Sequence, residues 1–112
     1  MKYLCLVYGE EEKMAAMDDA ECMSCVEGLV ASGHFIAGEA LQTVETATTL
    51  RIRNGKTSFT DGPFAETKEQ LAGFYLLEAR DLNEALAKAA KIPPARVGSI
   101  EVRPIRQLQA ES

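Results

Sequence analysis

Two adjoining stretches decide the fold of this chain: the charged turn Asp61-Gly62-Pro63-Phe64-Ala65-Glu66-Thr67-Lys68-Glu69-Gln70 and the apolar run Leu71-Ala72-Gly73-Phe74-Tyr75-Leu76-Leu77. Neighbouring positions of a β-strand point to opposite faces of its sheet. An unbroken apolar run therefore predicts a strand, residues 71–79, that is buried on both faces. The charged turn is predicted to lead the chain into this strand.

The segment before the charged turn predicts a β-hairpin. Asn54-Gly55, the strongest short hairpin signal, separates predicted strands at residues 48–53 and 56–60. Directly opposed residues share a face, so a two-residue turn gives the hairpin one apolar and one basic face. The apolar face consists of Leu50, Ile52, Thr57 and Phe59, and the basic face of Arg51, Arg53, Lys56 and Ser58. The basic face either meets an acidic partner or keeps an edge strand soluble.

The order of the remaining elements predicts the fold class. These elements are strands at residues 2–8, 34–41 and 98–105 and helices at residues 18–32 and 82–91. The resulting order predicts an α+β fold, a ferredoxin-like βαβ(hairpin)βαβ plait with an antiparallel sheet. Residues 1–106 are predicted to form a single domain, and residues 107–112 a short polar tail.

Capping residues and apolar stripes define the two predicted helices. Asp18 and Asp81 suit the N-caps, Glu84 completes a capping box, and Gly33 suits a left-handed stop. The buried stripes are predicted to be Cys22, Cys25, Val26 and Leu29 in the first helix, and Leu82, Ala85, Leu86 and Ala89 in the second.

Burial on both faces of the strands predicts a second copy of the chain. The strand at residues 2–8 is apolar on both faces, like the strand at residues 71–79. Two helices cover only one face of such a sheet, so the other face needs a different cover. We therefore expect a homodimer whose sheets pack face to face.

Composition argues against several classes of function. A formal net charge of −5 argues against nucleic-acid binding, which needs a surplus of Lys and Arg. No membrane-length span and no secretory signal is evident, so we expect a cytoplasmic protein without membrane contact. Cys22-x-x-Cys25 lies inside a predicted helix, which favours core packing of these thiols and of Cys5. With His34 as the one histidine, we expect no metal and no cofactor.

The charged turn also carries a family resemblance. Asp61–Glu69 and the following Leu71–Tyr75 resemble the signature of the DGPF branch of the YCII-related domain family, in the dimeric α+β barrel superfamily. The opening Met1–Tyr8 and the later Asp81–Ala85 are similar to the same family. The resemblance implies a dimeric α+β barrel with a ligand cleft between sheet and helices. The superfamily includes lactone isomerases, quinol-type monooxygenases and haem-dependent enzymes, and YCII-type domains are thought to use a His–Asp acid–base dyad.

Candidate site residues follow from this resemblance and from the residue types. Asp61 and His34 are the candidate catalytic pair, and the candidate substrate-binding residues are Lys68, Glu69, Thr67, Phe64 and Tyr75. Each has a structural alternative. Asp61 also suits a turn, and His34 also suits the end of a helix. Lys68 and Glu69 could instead form a solvated surface, and Thr67 could bond to the local backbone. Phe64 and Tyr75 could pack in the core or in a dimer interface.

Two functions remain open at this point. One is a small cofactor-independent enzyme doing isomerase or lyase-like acid–base chemistry on a carbonyl or lactone compound. Asp61 would be its base, His34 its acid, and Lys68 would stabilise developing negative charge. The other is a non-catalytic dimeric ligand-sensing or interaction domain, linked by the resemblance to extracytoplasmic-function sigma-factor regulation. The enzyme requires these three side chains to meet in one cavity.

Overall fold

The computed structural model describes residues 1–110, which form two antiparallel sheets and three α-helices. The strands are β1 (Lys2–Gly9), β2 (Phe35–Ala40), β3 (Thr48–Arg53), β4 (Lys56–Asp61), β5 (Gln70–Glu78) and β6 (Ser99–Pro104). The helices are α1 (Glu11–Ala15), α2 (Asp19–Ala31) and α3 (Leu82–Ala89), with 3-10 turns at Val44–Thr46 and Pro93–Arg96. The predicted α+β class and antiparallel pairing are confirmed.

The larger sheet has the strand order β2-β5-β1-β6, so β1 and β5 are central. One face of β1, formed by Tyr3, Cys5 and Val7, is buried. These side chains pack in clusters with residues of α2 and α3, including Leu29 and Ala89. The core therefore lies between the helices and one face of the sheet.

The other face of the sheet, called the open face here, carries a half-buried apolar centre. Leu4 lies opposite Leu76 and Leu6 opposite Phe74 on the two central strands. Both faces are thus apolar, but the predicted burial is complete only on the face covered by α2 and α3 and is partial on the open face. The outer strands add charge, because Phe74 neighbours Glu39 on β2 and Leu6 neighbours Glu101 on β6.

Helix ends follow the predicted capping chemistry with one change. The Asp18 carboxylate accepts the Ala20 N–H at 2.9 Å. After α2, Gly33 adopts φ 78°, and the N–H of His34 donates to the Leu29 carbonyl, as in a Schellman motif. Asp81 accepts the Glu84 N–H, yet Glu84 accepts from the Arg80 N–H rather than from Asp81. The second half of the predicted capping box is therefore shifted by one residue.

The predicted hairpin register is confirmed residue by residue. Arg53 pairs with Lys56, and Leu50 with Phe59, around a turn in which Asn54 and Gly55 both have positive φ. We call this two-stranded element, Thr48–Asp61, the arm. Its strands pair only with each other among residues 1–110, and every residue of β4 is exposed. The protein measures 48 × 47 × 18 Å and is therefore flat.

Two details differ from the predicted helices. Helix α1 lies between the predicted strand at residues 2–8 and the predicted helix at residues 18–32, where no element is predicted. It has five residues, none of them buried, and so shows no apolar periodicity. In α3 the predicted buried stripe is wrong at Leu82 and Leu86, which are exposed. Contact with the sheet is made by Ala85 and Ala89, whose small side chains let the helix approach closely. None of the helices in residues 1–110 has the length and apolar character needed to cross a bilayer.

Candidate functional site

A cavity of about 380 Å³ lies between α1, α2 and the sheet strands β2 and β5. Its lining is dominated by thioether, thiol and aliphatic groups from the helices, together with one phenol from β5. These groups include Met14, Met17, Cys22, Met23, Val26 and Tyr75. Asp19 adds a carboxylate to the lining, whereas Glu39 borders the cavity but is paired with Phe74 on the open face. Among residues 1–110 the wall is mainly apolar and contains no basic side chain.

Tyr75 supplies the distinctive polar group of this cavity. Its ring is held edge-on against Phe35, with centroids 6.4 Å apart and an interplanar angle of 86°. The Tyr75 hydroxyl makes no hydrogen bond to any other part of residues 1–110. Burial raises the pKa of Tyr75 to about 12, and the neighbouring Cys25 and Cys22 thiols add to this. The phenol therefore keeps its proton at physiological pH and can donate it in a hydrogen bond.

The two helix thiols beside Tyr75 are free and protonated. Burial raises the pKa of Cys22, with a further contribution from the Asp19 and Glu21 carboxylates. Burial also raises the pKa of Cys25. A raised pKa removes the thiolate that nucleophilic or metal-binding chemistry needs. No group of three or more His, Cys, Asp or Glu side chains suited to a metal ion occurs within residues 1–110.

His34 is engaged at the junction of α2, β2 and α3. Its Nδ1 lies 2.8 Å from the Ser32 hydroxyl, and its Nε2 lies 3.2 Å from Glu84 Oε1. The Arg80 N–H bond, the His34 bond and the Arg80 guanidinium hold the pKa of Glu84 below its usual value. The carboxylate that contacts His34 is therefore Glu84, at the start of α3, and not Asp61.

Asp61 lies at the end of β4, where it is exposed and paired in register with Thr48. Among residues 1–110 its carboxylate makes no hydrogen bond or ion pair. The turn after it is fixed by backbone contacts. Gly62 has φ 108°, its N–H donates to the Ala47 carbonyl at 2.8 Å, and its carbonyl accepts from the Thr49 hydroxyl. Asp61 and His34 do not contact each other within one chain.

The remaining loop candidates contact one another or neighbouring surface groups. Lys68 Nζ lies 3.6 Å from a Glu10 carboxylate oxygen and is largely exposed. The Thr67 hydroxyl donates to the Glu69 carbonyl at 2.6 Å, and the Glu69 carboxylate accepts from Ser99. Phe64 is 82% exposed, with the Arg51 guanidinium 6.0 Å from its ring centroid. Of the seven candidate residues, Tyr75 is the one that lines the 380 Å³ cavity.

Comparison with known proteins identifies the family. The model of the YCII-related domain matches residues 1–109 of this chain. The chain belongs to the YCII-related domain family. An uncharacterized protein of Rhizobium meliloti (strain 1021) is 39% identical over 114 residues, covering 94% of this chain and 92% of that protein. Most of this YCII-related domain is therefore shared with a relative of similar length.

The cavity wall of this YCII-related domain was only partly predictable. Cys22 and Val26 belong to the predicted buried stripe of α2, but the pattern assigned them to core packing rather than to a cavity. Met14 lies in α1 and Met17 follows it closely, and neither was predicted to line a site. Their residue type was the one available signal, since methionine side chains fill irregular spaces.

Proposed function

We propose that this YCII-related domain binds a small, largely apolar molecule that carries a carbonyl or similar hydrogen-bond acceptor. The supporting observation is the 380 Å³ cavity with one phenol donor that lacks an internal partner. Cavities of roughly 300–1,000 Å³ with apolar walls and a few polar groups are the usual form of small-molecule sites. Size and lining thus fit a compact ligand.

The chemistry of the wall narrows the class of ligand. Tyr75 stays protonated and therefore favours an acceptor such as a ketone or lactone oxygen. Met14, Met17 and Met23 offer flexible, polarizable surface that accommodates an aliphatic or aromatic ring. Asp19 disfavours an anionic ligand by like-charge repulsion.

The test compares two tyrosines on opposite sides of the sheet. Small cyclic ketones and lactones are titrated into the isotope-labelled protein, and amide shifts are followed by NMR. We expect saturable shifts in α2 and β5, and a dissociation constant about 5- to 10-fold weaker in Tyr75→Phe, since a neutral hydrogen bond contributes about 1 kcal/mol. Tyr8→Phe, on β1 outside the cavity lining, should match wild type. Equal affinity of Tyr75→Phe and wild type, or no saturable shift, contradicts the proposal.

We rank ligand binding above the acid–base enzyme as a proposal. An enzyme of that kind needs a base and an acid facing one substrate. Within a single chain His34 contacts Glu84, Asp61 is exposed on the arm and Lys68 contacts Glu10. The sensing role, including a connection to extracytoplasmic-function sigma factors, needs only the cavity and has the family resemblance as its support.

The finer architecture completes the proposal. The strand order β2-β5-β1-β6 with both longer helices on one face supports a ferredoxin-like plait. The apolar centre of the open face supports a homodimer through sheet faces, the dimeric α+β barrel of the superfamily. The Asp61–Glu69 motif supports the DGPF branch, and three free cysteines support a reducing, cytoplasmic location.

A further inference from the structure

The arm is an amphipathic ribbon whose apolar face has no cover. Leu50, Ile52 and Phe59 share one face and are 55%, 59% and 69% exposed. An isolated two-stranded hairpin is marginally stable in water, because one sheet face cannot bury its side chains alone. These three side chains are each more than half exposed, so residues 1–110 do not cover this face. The cover has to come from another molecule.

The protein exposes more surface than a compact monomer of its mass. Its accessible surface is 8087 Å² at 12.2 kDa, whereas a compact monomer of that mass exposes about 6,100 Å². Its radius of gyration is 16.1 Å, against about 13 Å for a compact domain of this length. A standard stable interface buries about 800 Å² per partner. The excess surface is therefore large enough for a stable interface.

The charge distribution indicates what that partner is. The arm holds three basic residues, Arg51, Arg53 and Lys56, and one acidic residue, Asp61. The whole chain has 12 basic and 17 acidic residues, so the rest of the protein holds nine and 16. A basic arm is repelled by another basic arm and attracted by the acidic remainder of a second copy.

Strand β2 is the place on that second copy with the matching chemistry. It is an outer strand, because it pairs with β5 alone and leaves its other edge free among residues 1–110. Glu39 on β2 is exposed and makes no ion pair within the described chain. Two exposed apolar side chains, Ile36 on β2 and Leu41 just after it, flank this carboxylate. The outer strand β6 differs, because its Glu101 already contacts Arg103.

We propose that the arm of each chain packs on strand β2 of a second copy, so that two arms clasp the homodimer reciprocally. The apolar face of the arm covers Ile36 and Leu41. Arg51 or Arg53, whose side chain begins on the opposite face, reaches around the outer edge of β3 to pair with Glu39 of the other copy. Reciprocal exchange buries both arms with one two-fold axis, as an isologous interface requires. This inference rests on the proposed homodimer and not on ligand binding, and two of its residues, Glu39 and Leu41, also border the cavity.

The first experiment measures mass against concentration by light scattering and sedimentation. We expect wild type to be a dimer at micromolar concentration. The variant Leu50→Ser/Ile52→Ser/Phe59→Ser is expected to weaken the dimer about 100-fold or more, as loss of a central apolar anchor does. Ser58→Ala, on the basic face of the same arm, is the matched control and should dimerise like wild type. Circular dichroism checks that each variant is folded.

The outcomes separate the arm from the dimer itself. A monomeric wild type overturns both the homodimer and the clasp. A triple variant that is folded and dimerises like wild type overturns the clasp and leaves a dimer through the sheet faces standing. Failure of ligand binding with an intact dimer would concern the cavity alone.

A second experiment tests the placement on β2. Phe59→p-benzoylphenylalanine is photo-activated in a mixture of 14N- and 15N-labelled chains, and the cross-linked peptides are identified by mass spectrometry. We expect mixed-isotope cross-links to residues 35–41. In parallel, Arg51→Glu/Arg53→Glu should weaken the dimer about 10-fold, and adding Glu39→Lys should restore it. Cross-links confined to one chain, or no restoration by Glu39→Lys, overturn the proposal.

Discussion

The helix-covered face of the larger sheet and the arm are both built from strands with apolar side chains on one face, yet only the first is covered. Tyr3, Cys5 and Val7 lie under α2 and α3 and are almost fully buried. Leu50 and Phe59 are more than half exposed. Strand pairing and burial are thus separate events in this protein. A good turn makes a hairpin, and only a second layer makes a core.

The largest expected effect contrasts apolar truncation in the two regions. Leu77→Ala, at a fully buried position, is expected to lower the free energy of unfolding by about 2–5 kcal/mol, through lost burial and a residual cavity. Leu50→Ala, on the arm, should cost less than about 1 kcal/mol in the dissociated chain. Urea denaturation at submicromolar concentration measures both. Equal losses at the two positions would show that the arm is packed within its own chain.

A smaller contrast concerns glycine. A methyl group at Gly73 would lie 2.8 Å from the Glu39 carbonyl oxygen on the paired strand. Gly73→Ala is therefore expected to cost about 1–3 kcal/mol, because backbone cannot move aside cheaply. Gly55, at φ 75°, has open space around it, so Gly55→Ala carries only the strain of a left-handed residue, about 1 kcal/mol.

Hydrogen exchange distinguishes these two glycine variants. Gly55→Ala should accelerate exchange in β3 and β4 only, whereas Gly73→Ala should lower protection across the larger sheet. A uniform effect of Gly55→Ala would mean that the arm and the sheet unfold as one unit.

Alkaline pH is expected to lower the free energy of unfolding through Cys5, which lies in the helix-covered core. Burial raises the pKa of Cys5 from 9.0 to about 11. Between these values the folded chain keeps a proton that the unfolded chain loses, so the free energy of unfolding falls as pH rises. The fall is at most about 1.4 kcal/mol per pH unit for one thiol. Chemical denaturation from pH 8 to about 11 measures it, and Cys5→Val should have a shallower slope than wild type.

The smallest expected effect is a loss of stability at acidic pH, through Glu84. The folded-state pKa of Glu84 is lowered by the Arg80 N–H and by His34, so its contribution to stability is present above the unfolded pKa. That contribution is lost as pH falls through the folded pKa. Glu84→Gln should remove this part of the acid dependence, while Glu66→Gln, on the exposed loop, should leave the curve of wild type unchanged. If the curves of stability against pH for Glu84→Gln and wild type are superimposable, the proposed contribution of Glu84 is wrong.

Local chemistry explains which parts of the fold the sequence predicts. The arm register followed from the Asn54-Gly55 turn, because two positive-φ residues fix which side chains are opposed. The stop of α2 followed from Gly33 in the same way. The exposure of Leu82 and Leu86 could not be predicted from the sequence. Helical periodicity indicates which direction a buried stripe faces, but not how wide the layer that covers it is.

The candidate site shows the same division between local and distant information. Tyr75 is a predicted site residue because it is a large ring in the segment that carries the family resemblance, and it lines the cavity. The partner of His34 was not predictable, because Glu84 is fifty residues away and its local pattern pointed to a capping box. Such a contact depends on how α2 and α3 pack side by side, which neither segment encodes alone.

The base of the arm bears on how two chains would associate and separate in the proposed dimer. The Ala47–Gly62 bond and the Thr49–Gly62 bond close the hairpin before any second copy is present. A preformed element loses little conformational entropy on association. Chains of this kind are therefore expected to exchange partners at a rate set by dissociation, without unfolding, so that freshly made and older molecules mix into one pool.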